Sequence, residues 1–363
     1  MSPVMGGYVA HDRAGWPVTV VAAGFLVVSM TVACTATAGR VGVRKNAESS
    51  GDAGDRTDGS ADGSADGGAD GSADGTADGG AGSGAVADGH RVNVLTYNVC
   101  ATDNRDRTCT RDLTRARRKV WASRVAGLIR SRKVDAASFT EMCYAQVSLL
   151  KRELPDYRFV WYGIARGGGD KCRLLWGDLT RKTTPPDGKR FGMALALKGR
   201  IHGSPLRRML KVDRPPADRS AKIHPRGLLC ARTVMGKRRS VSCVTHISDT
   251  ESPRQVVDLV ERYAGGRPVI LSGDFNRLPD DRQLAAVYGL GLGGGDYTEV
   301  DAAPYGRADG GAAPTTRGGR KIDYIFASEN DYRAMGAQVI RTRPELSDHR
   351  PLLGTLVMKP RVP

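Results

Sequence analysis

The chain has 363 residues, a formal net charge of +16 and seven cysteines, without a Cys-x-x-Cys pair, which argues against a structural zinc site. Residues 1–89 hold 5 Lys/Arg and 11 Asp/Glu, which leaves 50 and 28, a net charge of +22, for residues 90–363. Such a surplus favours a polyanionic partner such as nucleic acid or an anionic surface, although an arginine-rich, solvated surface is the plainer alternative.

The N-terminal leader, residues 1–38, contains an almost wholly apolar run over residues 17–33. That length is short for a membrane span and typical of a signal-peptide core. Residues 31–34 (Thr-Val-Ala-Cys) resemble a bacterial lipobox that would lipidate Cys34, whereas residues 36–38 (Ala-Thr-Ala) fit ordinary cleavage and secretion. An uncleaved anchor is the third alternative, and all three export the rest of the chain.

Residues 39–89 form a tether built largely from Gly, Ala, Asp and Ser. The segment has too little apolar bulk to offset its conformational entropy on folding, so we predict a flexible, charge-extended spacer. A calcium-binding repeat is the alternative, but the repeat lacks the hydrophobic position that a β-helix needs. The predicted domain organisation is therefore leader, tether and one large domain over residues 90–363.

The first half of the domain alternates strand and helix patterns. Strands are predicted over residues 92–100, 134–141 and 157–162, and helices over 114–132 and 144–154. The first helix places Val120, Trp121, Val125, Leu128 and Ile129 on one face. Residues 163–190, rich in Gly and Arg, are predicted as loop.

The second half is richer in strands. Residues 227–234 and 239–246 predict a hairpin in which Cys230 and Cys243 lie opposite each other, within reach of a disulfide. Ser252 and Pro253 predict a helix start. Further strands are predicted over 191–197, 206–212, 268–274, 321–326, 333–342 and 352–358, with a helical segment at 280–288 and an irregular one at 289–319.

Polar side chains collect where these strands end. An Asp can accept or release a proton, and an Asn can hydrogen-bond an oxyanion or a metal-bound water. Each residue alone is as easily a turn residue. The set, in chain order, is Asn98, Glu141, His246, Asp274, Asn276, Asp323, Asp348 and His349.

The motifs around these residues resemble the endonuclease/exonuclease/phosphatase superfamily, which has the deoxyribonuclease-I-like fold. They are Thr-Tyr-Asn (96–98), Thr-His-Ile (245–247), Gly-Asp-Phe-Asn (273–276), Ile-Asp-Tyr-Ile (322–325) and Ser-Asp-His-Arg-Pro (347–351). The resemblance implies a four-layered α/β sandwich, in which two packed, mostly antiparallel sheets are flanked by helices.

The resemblance also implies a role for each residue. Asn98, Glu141 and Asp348 would hold Mg²⁺ or Mn²⁺, since hard cations take oxygen ligands. Asp274 would orient or deprotonate the attacking water, and Asn276 would hydrogen-bond the scissile phosphate. His349, held by Asp323, would contact the phosphate or the nucleophile. His246 would stabilise the transition state or help to protonate the leaving group.

Six cysteines behind an export signal predict three disulfides. Cys143 follows the site acid so closely that we expect a disulfide to support this loop, with Cys172 as partner. Cys100–Cys109 would close the polar loop after the first strand. One departure from the family pattern is Thr140, which precedes Glu141 where Gln is common.

The expected function is that of an exported, divalent-metal-dependent phosphodiesterase, a nuclease acting on DNA or RNA. The alternatives are a phosphatase or a lipid phosphodiesterase of sphingomyelinase or lipid-pyrophosphate type at the envelope, and an inactive surface binding module. The expected partner is nucleic acid, with membrane contact only through an N-terminal lipid or anchor and no obligate protein partner. The expected location is extracellular, tethered as a lipoprotein or secreted.

Overall fold

A computed structural model describes residues 89–102, 115–165, 167–176, 185, 188–215, 224–289, 293–301, 313–343 and 345–360. The predicted leader, nearly all of the predicted tether and Cys109 lie outside the described residues. Within the described part of the chain, no helix is long and apolar enough to cross a membrane.

Twelve strands and four α-helices make up the described domain. The strands are β1 Arg91–Asn98, β2 Ala136–Cys143, β3 Arg158–Ala165, β4 Phe191–Leu197, β5 Ile201–Met209, β6 Gly227–Met235, β7 Arg238–His246, β8 Val269–Asp274, β9 Tyr297–Glu299, β10 Asp323–Ser328, β11 Tyr332–Val339 and β12 Leu352–Met358. The helices are α1 Arg115–Ser131, α2 Tyr144–Glu153, α3 Gly167–Trp176 and α4 Pro253–Ala264, with a 3-10 turn at Arg282–Ala286.

The strands form two six-stranded sheets. The order is β11-β12-β1-β2-β4-β3 in the first sheet and β5-β6-β7-β8-β10-β9 in the second. Each sheet contains one parallel pair, β1 with β2 and β7 with β8, and its other pairs are antiparallel. Because parallel strands end at the same edge, the two pairs deliver four strand ends to the edges of the sandwich.

Three apolar layers hold the elements together, which gives the predicted four-layered sandwich. Helices α1, α2 and α3 cover the first sheet through side chains such as Trp121, Val147 and Trp176. The facing sheets bury Val94, Leu195, Val244 and Ile270 between them. Helix α4 covers the second sheet, and the alternating burial of β12 shows the period-2 pattern of a strand with one inward face.

Helix α4 shows how local sequence sets an element. The Ser252 hydroxyl accepts the Arg254 amide hydrogen, and Pro253 occupies the first turn. The helix ends at Gly265, whose φ of +56° is a left-handed conformation that glycine adopts without strain. The two residues predicted to start this helix, Ser252 and Pro253, therefore both do so.

Three predictions of local structure were wrong in part. Residues 163–190 were predicted as loop but contain α3, a glycine-rich helix held by its disulfide and by the Trp176 indole, which donates to the Ala101 carbonyl at 2.9 Å. Val120 was predicted on the buried face of α1 but is 46% exposed. The segment 289–319, predicted as irregular, contains the short strand β9.

The disulfide predictions agree with the described cysteines. Cys143 is bonded to Cys172, and Cys230 is bonded to Cys243 across the β6–β7 hairpin in the predicted register. Cys100 is also disulfide-bonded, and its predicted partner Cys109 lies outside the described residues.

Candidate active site

The two parallel pairs bring their ends together at one edge of the sandwich. Asn98 ends β1, and its amide NH₂ donates to Glu141 Oε1 at 3.2 Å and to Asp274 Oδ2 at 3.0 Å. Glu141 lies near the end of β2 in the same sheet, whereas Asp274 ends β8 in the other sheet. One asparagine therefore joins the carboxylates of both sheets.

A β-bulge sets the direction of the Glu141 side chain. The pairing of β2 with β4 shifts register between Phe139 and Met142, and Glu141 itself has a φ of +50°. This left-handed conformation is unfavourable for a glutamate and persists only where the surroundings impose it. The bulge turns a partly buried carboxylate toward the edge where Asn98 and Asp274 lie.

Asp274 and Asn276 are fixed by the turn after β8. Asp274 Oδ1 accepts the Asn276 amide hydrogen at 2.9 Å, and Asn276 has a φ of +49°. The Asn276 side chain donates to the Ile247 carbonyl at 2.8 Å. Gly273 allows β8 to approach β7, since a Cβ there would lie 2.0 Å from the Thr245 carbonyl oxygen.

Asp323 and His349 form a carboxylate–imidazole pair beside Asp274. Asp323 lies opposite Asp274 in the β8–β10 register, and its Oδ2 is 2.8 Å from His349 Nδ1. The other ring nitrogen, Nε2, lies 3.9 Å from Asp274 Oδ2. Ser347 anchors this turn, because its hydroxyl donates to the Asn98 carbonyl at 2.8 Å and accepts the His349 amide hydrogen at 3.1 Å.

The surroundings shift the pKa values of the acidic groups and of His349 in a consistent direction. Burial raises the pKa of Glu141, and burial together with Asp323 raises the pKa of Asp274. Burial lowers the pKa of His349, but the carboxylates around it, with Asp323 foremost, outweigh that effect and raise the pKa to about 10. The site therefore holds crowded carboxylates next to an imidazole that favours its charged form.

Arg226 also belongs to this site, although it is not among the residues predicted from the sequence. Its Nη1 lies 2.9 Å from His246 Nδ1 and 2.7 Å from Nε2. Burial, reinforced by Arg226, lowers the pKa of His246 well below its usual value, so the ring is neutral. A signal was available, because the predicted hairpin register places Gly227 opposite His246 and hence Arg226 next to it.

Two groups of side chains could hold a cation. The ligand atoms of Glu141, His246 and Asp274 lie within 4.8 Å of one another, and so do those of Asp274, Asp323 and His349. Asn98, predicted as a ligand, turns its NH₂ toward the carboxylates, while its oxygen accepts the Cys100 amide hydrogen at 3.0 Å. Asp348 lies outside both groups, and its Oδ1 is 3.2 Å from the Ser347 hydroxyl oxygen.

A hard divalent cation fits this donor set. The donors are mostly carboxylate oxygens, which suit Mg²⁺ or Mn²⁺. Burial raises the pKa values of Glu141 and Asp274, and a divalent cation bound beside them would favour their charged forms.

A two-sheet sandwich with carboxylates, an asparagine and two histidines at one edge defines a class of protein, the metal-dependent phosphoric-ester hydrolases. The sequence places the chain within a particular family of that class. The profile of the endonuclease/exonuclease/phosphatase family matches residues 95–349, so the chain belongs to this family.

Solved structures show the same fold at low sequence identity. An endonuclease/exonuclease/phosphatase from Bacteroides vulgatus has a TM-score of 0.51 and 17% identity, covering 74% of this chain and 99% of that chain. The human nocturnin catalytic domain with bound sulfate has a TM-score of 0.50 and 16% identity, covering 74% of this chain and 94% of that chain. A functionally unknown conserved protein from Enterococcus faecalis has a TM-score of 0.50 and 14% identity, covering 74% of this chain and 100% of that chain. A search of curated proteins gives no significant match.

Proposed function

We propose that this chain is an exported, divalent-metal-dependent phosphodiesterase that hydrolyses nucleic acid. The observation that carries the proposal is the joined site, in which Asn98 connects Glu141 to Asp274 while the Asp323–His349 pair faces the same carboxylate. Hydrolysis of a phosphodiester needs an oriented water and positive charge near the phosphoryl oxygens, and this set provides groups for both.

Each side chain has a proposed task. Glu141 would hold Mg²⁺ or Mn²⁺, with Asn98 and Asp348 flanking it, and the bound ion would neutralise charge on the phosphoryl oxygens. Asp274 accepts hydrogen bonds from Asn98 and Asn276, which leaves it oriented to position the attacking water. His349, charged because of Asp323, would stabilise negative charge on the phosphate.

His246 and Asn276 complete the phosphate site. The two side chains lie 3.3 Å apart, between Nε2 and Nδ2. Because His246 is neutral, we assign it to hydrogen bonding of the phosphoryl group rather than to protonation of the leaving group. Arg226 adds a permanent positive charge beside His246.

The surface next to this edge supports a nucleic-acid substrate. Strand β5 ends beside Arg226, since the Leu210 amide donates to the Arg226 carbonyl at 3.0 Å. Arg207, Arg208 and Lys211 lie exposed on or just after this edge strand. Basic side chains that neutralise backbone phosphates supply much of nucleic-acid affinity, so this end of β5 is the proposed contact surface.

Export is part of the proposal and rests on cysteine chemistry. The described residues contain the Cys143–Cys172 and Cys230–Cys243 disulfides, which persist in oxidising compartments. The apolar leader and the Gly/Ala/Asp/Ser tether would deliver the domain outside the cell and hold it there through a lipid or anchor, or release it.

A lipid phosphodiester is the second candidate substrate. Two exposed apolar side chains lie next to the site, Leu278 two residues beyond Asn276 and Met209 at the end of β5. Such side chains can contact a lipid surface, whereas the basic residues around Met209 fit an anionic lipid as well as nucleic acid.

The test offers the full-length chain four substrates with Mg²⁺: plasmid DNA, RNA, sphingomyelin and a simple phosphomonoester. We expect nicking of DNA or cleavage of RNA that EDTA and His349→Ala both abolish. The control substitution His90→Ala, at an exposed histidine directly before β1, should leave the activity intact. Hydrolysis of only the lipid or the monoester would overturn the nucleic-acid proposal. Unchanged activity in His349→Ala would overturn the site itself.

A further inference from the structure

A second, strongly basic pocket lies away from the catalytic edge. It has a volume of about 190 Å³ and is lined by His202, Gly203, Arg232, Thr233, Arg239 and Arg267. Arg239 lies seven residues before His246 on β7, which corresponds to roughly 23 Å along a strand. This basic pocket is therefore separate from the site built around Asp274 and His349.

The positive charge of the basic pocket is not compensated. No acidic residue lines it, and none of its three arginines forms an ion pair with any residue that the structure describes. Two guanidinium groups are nevertheless held in place. Arg232 donates to the Tyr263 carbonyl at 2.8 Å and lies over the Tyr263 ring, and Arg267 donates to the Ala264 carbonyl at 2.7 Å. Fixed, unpaired guanidinium groups are the arrangement that binds a multivalent oxyanion.

An unused polar atom points to the same conclusion. The Nε of Arg232 is buried without a partner in the described part of the chain. Buried donors of this kind cost free energy unless a ligand or an ordered water satisfies them.

We propose that the basic pocket binds a phosphate group. Its volume is smaller than the roughly 300–1,000 Å³ of pockets for drug-sized ligands, so a compact oxyanion fits and a whole nucleotide does not. The phosphate can be a free anion, or one phosphate of a nucleic-acid strand that also reaches the catalytic edge. Binding of a phosphate within a nucleic-acid strand rests on the proposed function, whereas binding of a free phosphate anion does not.

The experiment measures inorganic phosphate binding by the full-length chain with EDTA present, so that no hydrolysis occurs. Binding is followed by isothermal titration at constant ionic strength adjusted with chloride, in the wild type and in the double variant Arg239→Gln/Arg267→Gln. Each charge-assisted hydrogen bond lost corresponds to about a tenfold or larger change in affinity. We expect the double variant to bind phosphate at least tenfold more weakly, and Arg333→Gln, an exposed arginine on β11, to match the wild type.

Arg232→Gln is the second variant, because Arg232 is the third arginine of the basic pocket. It should also weaken phosphate binding. Phosphate affinity that is equal in both variants and the wild type would overturn the proposal, whatever the enzyme hydrolyses.

Oligonucleotide binding identifies the source of the phosphate. Along a nucleic-acid duplex, about seven nucleotides of one strand span 23 Å at roughly 3.4 Å per nucleotide. If the double variant weakens binding of a 20-mer but not of a 4-mer, the phosphate belongs to a strand. If the double variant weakens the binding of inorganic phosphate but not of either oligonucleotide, the ligand is a free anion.

Discussion

The Asp323→Asn substitution is the most direct test of how the site works. Asp323 is buried at 1% exposure, and its Oδ2 contacts His349 Nδ1 at 2.8 Å. The substitution keeps the size of the side chain but removes the charge that is the foremost cause of the raised pKa of His349. It also allows an amide NH₂ to face the ring nitrogen, which favours the wrong tautomer.

The expected loss follows from the nature of this contact. A buried hydrogen bond to a charged group contributes about 1.5–3 kcal/mol, so kcat should fall roughly 10- to 150-fold. The pH dependence should change as well. His349 stays charged as pH rises until its pKa of about 10, whereas without Asp323 the charged form is lost at lower pH. The variant should therefore lose its remaining activity as pH rises through the neutral range.

The assay is the pH profile of phosphodiester hydrolysis, combined with a double-mutant cycle that adds His349→Ala. If Asp323 acts through His349, the two substitutions are strongly non-additive. Asp331→Asn is the matched control, since Asp331 pairs with Arg238 away from the site. Additive effects, or a variant that retains more than half of its kcat with an unchanged pH profile, would refute this reasoning.

Three further predictions address the metal, the Cys143–Cys172 disulfide and Arg226. Glu141→Gln should abolish the dependence of activity on Mg²⁺ or Mn²⁺ and lower kcat at least about 100-fold, as measured by metal titration of the rate. Replacing Cys143 and Cys172 by Ser opens a loop of 29 residues and should cost about 3–4 kcal/mol of unfolding free energy in urea. Arg226→Gln should raise the pKa of His246, because Arg226 helps to lower it, and should reduce kcat about tenfold; NMR titration of the ring reports the pKa.

Controls for these variants are available in the same fold. Glu153→Gln at the end of α2 should leave the metal response intact. The Cys230–Cys243 disulfide closes 13 residues, so its removal should cost less, about 3 kcal/mol, and should spare activity more than loss of the disulfide next to Glu141. An Arg226→Gln protein with an unchanged His246 pKa would contradict the electrostatic role of Arg226.

Most of the fold could be predicted from the sequence because its signals are local. Apolar runs bounded by Gly and Pro located most strands, and the symmetry of Cys230 and Cys243 about the turn fixed the hairpin register. Ser252 and Pro253 fixed the start of α4. The sandwich itself followed from the family motifs rather than from any periodicity.

The candidate site was predictable as a set of residues at strand ends, whereas its geometry was not. Period-2 alternation cannot reveal that Glu141 lies in a bulge with positive φ, because that conformation depends on pairing with β4. Helix α3 was missed for a similar reason, since its glycines disfavour a helix that the disulfide and Trp176 hold in place.

By itself, the sequence determined which residues end the strands and the family to which they belong. Only the tertiary structure decided which strand ends meet. Asn98 and Asp274 are separated by 176 residues in sequence, end strands of different sheets and are joined at 3.0 Å. Contacts between the sheets form when the two sheets pack their apolar faces against each other. The local pattern of apolar and polar residues predicts each strand, but it does not predict which strand ends this packing brings together.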